Sequence, residues 1–281
     1  MDTLTLAACA KLNIGLRVAG LRADGYHELD SVFQTIDLTD QLTLTLREAP
    51  GTQVRMVPDR GIDPNANLVH RAIALLDESV DRDAGLSVQV DKRIPIGAGL
   101  GGGSSDAAAT LVALSHLWGL GLSRAELQPY ARRLGSDVPF FLYGGRCRVS
   151  GRGDRIEPLG DGNHAINEAY VLVVPPWPLA TSEVYRTFDQ LRSSSLINSP
   201  YANDLEAAAL QLEPRLGSYR DWLLAKDVAF GMSGSGPVYF ALASSVAEAT
   251  DMAAAADREL SGDALVCQPT TSGQQWPLRD P

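Results

Sequence analysis

Apolar and polar residues alternate one for one at the start of the chain, through Thr3-Leu4-Thr5-Leu6 and on to residue 9, and again over residues 12–18. A period of two puts every second side chain on one face of a sheet, so both stretches are expected as strands. Ala23-Asp24-Gly25 is a turn signal, and Gln41 to Arg47 alternates once more. The period then changes. Between Asn67 and Val80, Leu68, Ala72, Leu75 and Leu76 recur at the three- and four-residue spacing of a helix. Leu86 to Asp91 is a further strand, and a glycine-rich segment follows it directly. Past that segment, Ala107, Leu111, Leu114 and Trp118 mark one helix; Ser123 opens another, with Glu126 at the spacing of a capping box.

The second half reads in a definite order. Ala169–Val174 is a wholly apolar strand, Thr181–Leu191 a helix, and residues 204–225 carry further helical segments. Val228–Gly231 and Val238–Leu242 are strands on either side of Met232-Ser233-Gly234-Ser235-Gly236-Pro237. An Ala-rich helix over Val246–Leu260 and a strand over Ala264–Gln268 close the pattern. The order β-α-β-β-α-β, with an extra helix, is ferredoxin-like. An α+β chain of two domains is expected, 1–152 and 153–281, divided at the turn Gly151-Arg152-Gly153-Asp154. Residues 193–203 are expected to form a mobile loop.

Composition narrows the function. The chain has 281 residues, 45% apolar and 21% charged, in the range of globular proteins, with a formal charge of −10. So acidic a surface argues against nucleic acid and anionic membranes as partners, since both are bound through Lys and Arg. Cys9, Cys147 and Cys267 are odd in number and far apart, which points to a reducing cytoplasm and not to a disulfide framework. The four histidines show no zinc spacing. Leu6-Ala7-Ala8-Cys9 has the look of a lipoprotein cleavage site but lacks the basic start and the apolar run, and is expected as strand.

Pro95-Ile96-Gly97-Ala98-Gly99-Leu100-Gly101-Gly102-Gly103-Ser104-Ser105 carries five glycines in positions 97–103. Glycine leaves backbone N–H groups uncovered, and the following helix adds its own unpaired N–H groups and positive dipole end. A strand, a glycine loop and a helix can therefore cradle phosphate without a basic side chain. Three other readings compete. A flexible turn would not need five glycines. A Walker A loop needs a lysine where Gly103 and Ser104 stand. Gly97, Gly99 and Gly102 satisfy the dinucleotide fingerprint, but a second helix begins at Ser123 where that fold wants a strand ending in an acidic residue.

The segment resembles the ATP-binding motif of the GHMP kinases, and the resemblance covers nearly the whole chain. Ala10-Lys11-Leu12-Asn13, Arg22-Ala23-Asp24-Gly25-Tyr26-His27, Leu134-Gly135-Ser136-Asp137-Val138-Pro139 and Gly231 to Pro237 follow in that family's order. It implies a two-domain fold, with an ATP-binding N-terminal α/β domain and a ferredoxin-like C-terminal one, and a catalytic cleft between them. ATP would be the co-substrate, with Mg²⁺, bound along residues 95–105. Ala23 to His27 is similar to members whose acceptor is a cytidyl diphosphate of methylerythritol, phosphorylated at its 2-hydroxyl in non-mevalonate isoprenoid synthesis. A monomer or weak homodimer is expected.

Residue by residue, the resemblance makes Lys11 and Asp137 catalytic and Asn13 acceptor-binding. Tyr26 and His27 become the base-recognition pair, with Tyr185 as a second stacking surface. Thr181 would contact the polyol, although Ala180-Thr181-Ser182 stands where relatives often have Ser-Thr-Pro. Read without the resemblance, Lys11 is a surface lysine and Asp137 a helix cap, while Tyr26 and His27 are one buried aromatic and one exposed histidine. Ser104 and Ser105 are either helix caps or metal contacts, and no metal ligand set is specified. Two alternatives stay open: a family member acting on homoserine or a mevalonate derivative, and a catalytically silent nucleotide-binding module.

Overall fold

The structure is a computed structural model that describes residues 2–59, 61–78, 84–160, 169–191 and 199–272. The two stretches of alternation at the N-terminus are one long strand. β1, Thr3–Leu21, pairs antiparallel with β2, His27–Arg47, through the turn expected at residues 23–25. The lapse in alternation has a structural cause: the register shifts between Cys9 and Ala10 and again between Ile14 and Leu16. Such bulges re-aim side chains and free backbone groups. Around Gly15, Leu16 N–H donates to the Ala202 carbonyl and Asp204 N–H to the Leu16 carbonyl. From Ala8 to Ile14 every residue is buried, including Lys11 and Asn13.

β3, Thr52–Val57, runs parallel to β4, Gly85–Asp91; β5, Arg146–Gly151, and β6, Arg155–Pro158, form a hairpin. The order is β3-β4-β2-β5-β6, with β1 on the other side of β2. On the sheet pack α1 (Leu68–Asp77), α2 (Gly102–Leu117), α3 (Arg124–Leu134) and the single turn α4 (Val138–Phe141). α2 touches β1, β2 and the other three helices, and residues 105–115 are all buried. An Ala-rich helix apolar on every side suits that central place. The Asn67 side chain caps α1, and Ser123 with Glu126 forms the expected capping box on α3.

β7 (Ala169–Val174), α5 (Thr181–Leu191), α6 (Glu206–Leu212), α7 (Leu216–Ala225), β8 (Phe230–Met232), β9 (Tyr239–Ala243), α8 (Val246–Glu259) and β10 (Asp263–Cys267) make the second unit. Its sheet is antiparallel in the order β10-β7-β9-β8, the ferredoxin-like arrangement. Ala10, Leu12 and Ile14 of β1 join Tyr170, Leu172 and Phe240 in one apolar cluster that binds the two sheets together.

Two expectations need correction. The break placed between residues 152 and 153 falls inside the β5–β6 hairpin, both arms of which pair within the N-terminal sheet; the second sheet first takes up the chain at Ala169. Of the loop expected over 193–203, residues 193–198 lie outside the described residues, as does Val80. Residues 199–203 are fixed: Ala202 and Asn203 are buried, and Asn203 Nδ2 donates to the Met232 and Gly234 carbonyls at 2.8 and 2.7 Å. Among the described residues no helix is long and apolar enough to cross a membrane.

Candidate active site

The glycine segment joins β4 to α2 along the floor of a cleft of about 880 Å³. Gly97, Gly99 and Gly101 have φ of +67°, +74° and +72°, a region that L side chains rarely adopt. Gly99 is also pinned from the second unit, for a Cβ there would lie 2.1 Å from the Ser233 carbonyl oxygen. Ser233 Oγ donates to the Gly99 carbonyl at 3.0 Å, so the loop connecting β8 to β9 grips the glycine loop. Gly101 caps α2 in the left-handed conformation without a side chain over the helix end. The first-turn N–H groups of residues 102–104 have no intrahelical acceptor and carry the positive end of the dipole.

Lys11 reaches the same floor from β1. Its Nζ donates to Asn13 Oδ1 at 2.5 Å and to the Gly99 carbonyl at 2.8 Å, and lies 3.7 Å from Asp137 Oδ2. Burial pushes the ammonium below the usual lysine range, and the Asp137 charge opposes that shift. Asp137 sits at the N-cap position of α4, yet its side chain caps nothing. Its carboxylate, 31% exposed, faces the cleft beside Lys11. Asn13 Nδ2 donates to Ser31 Oγ at 3.1 Å, which fixes the amide orientation that serves Lys11.

At the far end of the cleft, His27 stacks on Tyr185 with centroids 5.0 Å apart and planes at 29°. His27 Nε2 lies 2.7 Å from Asp189 Oδ1, so that nitrogen carries the proton toward the carboxylate. Tyr26 is half-exposed, with the Arg152 guanidinium 5.2 Å from its ring centre. Burial pushes the Tyr185 phenol well above its usual value, and the Asp137 charge adds to that. Thr181 Oγ1 is 2.9 Å from Ser235 Oγ. The structure thus brings Lys11, Asn13, Tyr26, His27, Asp137, Thr181 and Tyr185 to one cleft with residues 95–104, while Ser105 is buried beneath it.

Comparison with known proteins follows the geometry. Residues 67–145 match the GHMP kinases N terminal domain and residues 186–262 the GHMP kinases C terminal domain. The 4-diphosphocytidyl-2-C-methyl-D-erythritol kinase of Acaryochloris marina is 37% identical over 90% of this chain and 91% of its own; that of Gloeobacter violaceus is 35% identical over 97% and 96%. The chain belongs to the GHMP kinases. A crystal structure of 4-(cytidine 5'-diphospho)-2C-methyl-D-erythritol kinase superposes with a TM-score of 0.79, at 34% identity, over 95% of this chain and 99% of that one. Homoserine kinase from Cytophaga hutchinsonii shares the fold, with a TM-score of 0.75 at 20% identity over 98% and 97%.

Sequence reasoning missed several residues of this GHMP kinase. Under the glycine loop, Lys92 Nζ donates to Asp40 and, at 2.7 Å, to Asp106 Oδ2, all three being buried. Asp40 Oδ1 also accepts from Arg93 and Ile94 N–H at 2.6 and 2.9 Å. Among the described residues, Asp106 Oδ1 and Ser105 Oγ have no hydrogen-bond partner. Burial favours the neutral form of Lys92, but the Asp106 and Asp40 charges outweigh it and raise the ammonium. Two carboxylates share one ammonium, and Asp40 holds the better set of donors. Burial therefore raises Asp106, to about 7. The signal available was an acidic residue at the start of an otherwise apolar helix. Arg152 was passed over because its segment read as a plain turn.

Proposed function

We propose that this GHMP kinase transfers the γ-phosphoryl group of ATP to the 2-hydroxyl of 4-diphosphocytidyl-2-C-methyl-D-erythritol. The observation that carries the reading is one cleft with three chemically distinct walls. The glycine loop and the start of α2 suit a polyphosphate, Lys11 and Asp137 suit a reacting hydroxyl, and Tyr26, His27 and Tyr185 suit a flat polar base. Names of relatives at 35–37% identity agree with that division. The 4-stranded sheet of the second unit contributes by holding Gly99 in place, which positions phosphate and lysine together.

Phosphoryl transfer needs alignment and charge stabilisation more than covalent work by the protein. The acceptor oxygen forms a bond to the γ-phosphorus as the bond to the β–γ bridging oxygen breaks and ADP departs. The hydroxyl proton goes to the Asp137 carboxylate and from there to solvent. Lys11 pairs with Asp137 and, close to the glycine loop, steadies the charge that grows on the transferring oxygens.

The residues suit Mg²⁺ held mainly by nucleotide phosphates. Among the described residues no set of three His, Cys, Asp or Glu side chains could hold a metal, and Mg²⁺ keeps phosphate and water ligands by preference. Ser104, which lines the cleft at the start of α2, is the protein group placed to add a contact, with Ser105 buried beneath it. The ion would neutralise phosphate charge during transfer.

Base choice follows from Asp189. With Nε2–H given to Asp189, the His27 tautomer that leaves Nδ1 as an acceptor would suit cytosine, which offers an N4 amine donor where uracil has an acceptor. A coupled ADP-release assay with the cytidyl substrate, its uridyl analogue, free methylerythritol, homoserine and mevalonate tests the reading. Turnover restricted to the cytidyl compound is expected. Equal turnover of free methylerythritol would refute the base-recognition step.

A further inference from the structure

We propose that Arg152 binds the diphosphate of the acceptor, which makes the β5–β6 hairpin turn a phosphate subsite separate from the glycine loop. This rests on the acceptor named above. In such a molecule the diphosphate lies between the base and the reacting polyol, so its site must lie between the aromatic end of the cleft and Asp137. Arg152 occupies that interval. Its guanidinium is 5.2 Å from the Tyr26 ring centre, and its neighbour Gly153 is so close to the reacting end that a Cβ there would sit 3.6 Å from Asp137 Oδ1. Gly151 and Gly153, with φ of +73° and +105°, let the turn fold tightly against Ser136 and Asp137.

The other cations of the cleft are engaged elsewhere. Lys11 serves Asn13, Gly99 and Asp137; Lys92 is buried between Asp40 and Asp106 at the nucleotide end. Arg186 lies mostly in solvent beside Glu183, 3.6 Å away. Arg152 is held in place, with Nη2 donating to the Arg132 carbonyl at 3.0 Å and Nε 3.6 Å from Asp154 Oδ2. A positioned guanidinium fork is the group best matched to phosphate oxygens, and on a chain of net charge −10 a diphosphate needs such a local cation.

Calorimetric titration of CDP and of cytidine, each with saturating ADP to occupy the glycine loop, tests the assignment. Wild type is expected to bind CDP about 10–100-fold more tightly than cytidine, the range of a charge-assisted contact. Arg152→Ala should shrink that ratio to about threefold or less while cytidine affinity changes little; Arg152→Lys should restore part of it. If the alanine variant is unstable, Arg152→Gln keeps the side chain's length without its charge and reads the same ratio. A wild-type ratio retained in Arg152→Ala or Arg152→Gln overturns the proposal, as does a ratio lost in Arg186→Ala and kept in Arg152→Ala. Wild type binding uridine as well as cytidine would instead overturn the acceptor itself, and the subsite with it.

Discussion

Gly99→Ala isolates the grip of the second unit on the glycine loop. The added methyl would stand 2.1 Å from the Ser233 carbonyl oxygen and 3.2 Å from that of Gly236, both backbone atoms that no rotamer change can move. It would also place an L side chain at φ +74°. The left-handed conformation costs about 1 kcal/mol and overpacking about 1–3, so the folded state should lose about 2–4 kcal/mol, or about 4–16 °C in Tm. Relief of the clash requires a shift of about 1 Å in residue 99 or in the loop above it. Because the Gly99 carbonyl accepts from Lys11 Nζ at 2.8 Å, that shift moves Lys11, the lysine proposed to act in transfer, as well. A misplacement of about 1 Å can cost about 10²-fold in rate, so kcat at saturating ATP should fall by about that factor. Gly103→Ala is the matched control. A Cβ there meets only Leu68 Cδ1 at 3.8 Å, and residue 103 lies in the first turn of α2 without a positive φ. Its folding stability should hold or rise by up to about 1 kcal/mol. Thermal melts and ADP-release kinetics on both variants decide the matter. Wild-type kcat in Gly99→Ala, or equal destabilisation in the two, would refute the idea that the second unit sets the loop.

Asp137→Asn keeps the shape and removes the charge, so acceptor and ATP binding by calorimetry should survive while kcat falls about 10²–10⁴-fold, or about 3–5 kcal/mol; a loss under about tenfold with chemistry rate-limiting would leave Asp137 a structural role only. Tyr26→Ala removes a stacking surface worth about 1–3 kcal/mol and should lower kcat/KM for the cytidyl substrate about 5–150-fold, with ATP affinity unchanged. Asp189→Ala frees the His27 tautomer, so the preference for cytosine over uracil in a competition assay should narrow while ATP affinity stays put. Asp106 keeps its proton up to about pH 7 in the folded state, whereas in the unfolded chain it releases it near pH 3.9. Its contribution to stability therefore falls as pH rises from about 4 to 7 and is level above that. Melts of Asp106→Asn across pH 4.5 to 8 should lack that slope.

Periodicity made the regular parts of the fold readable. Thr181–Leu191 and Ala169–Val174 fall where the helical and apolar patterns place them, and Ser123 with Glu126 caps α3 as their spacing demands. Features that depend on distant partners were not readable. The register shifts in β1 exist because residues 10–16 must serve two sheets, and local alternation shows them only as a gap. β3 was missed because it owes its place to parallel pairing with β4 rather than to a strong pattern of its own. Asn203, read as loop, is buried because two carbonyls of the β8 end need its amide.

The site divides along the same line. Glycines at 97, 99 and 101 announce a special backbone, since few other residues tolerate those angles, but what a side chain there would strike is set by the fold: Pro178 at Gly97, the Ser233 and Gly236 carbonyls at Gly99, and Phe141 and Lys11 at Gly101. Lys11 read alone is a surface lysine; only the fold buries it against Asn13, Gly99 and Asp137. That arrangement answers the charge problem set by composition. A protein of net charge −10 cannot draw two polyphosphates to one cleft by its overall field. Local groups whose geometry is fixed in advance would serve instead: backbone amides and a helix end for one and, on the proposal above, the Arg152 guanidinium braced by Arg132 and Asp154 for the other. Fixed dipoles and braced cations need no reorganisation when the phosphoryl group moves. The coupling also runs one way through Gly99. Its carbonyl accepts hydrogen bonds from both Lys11 Nζ and Ser233 Oγ, so motion between the two units would reach the glycine loop and Lys11 together.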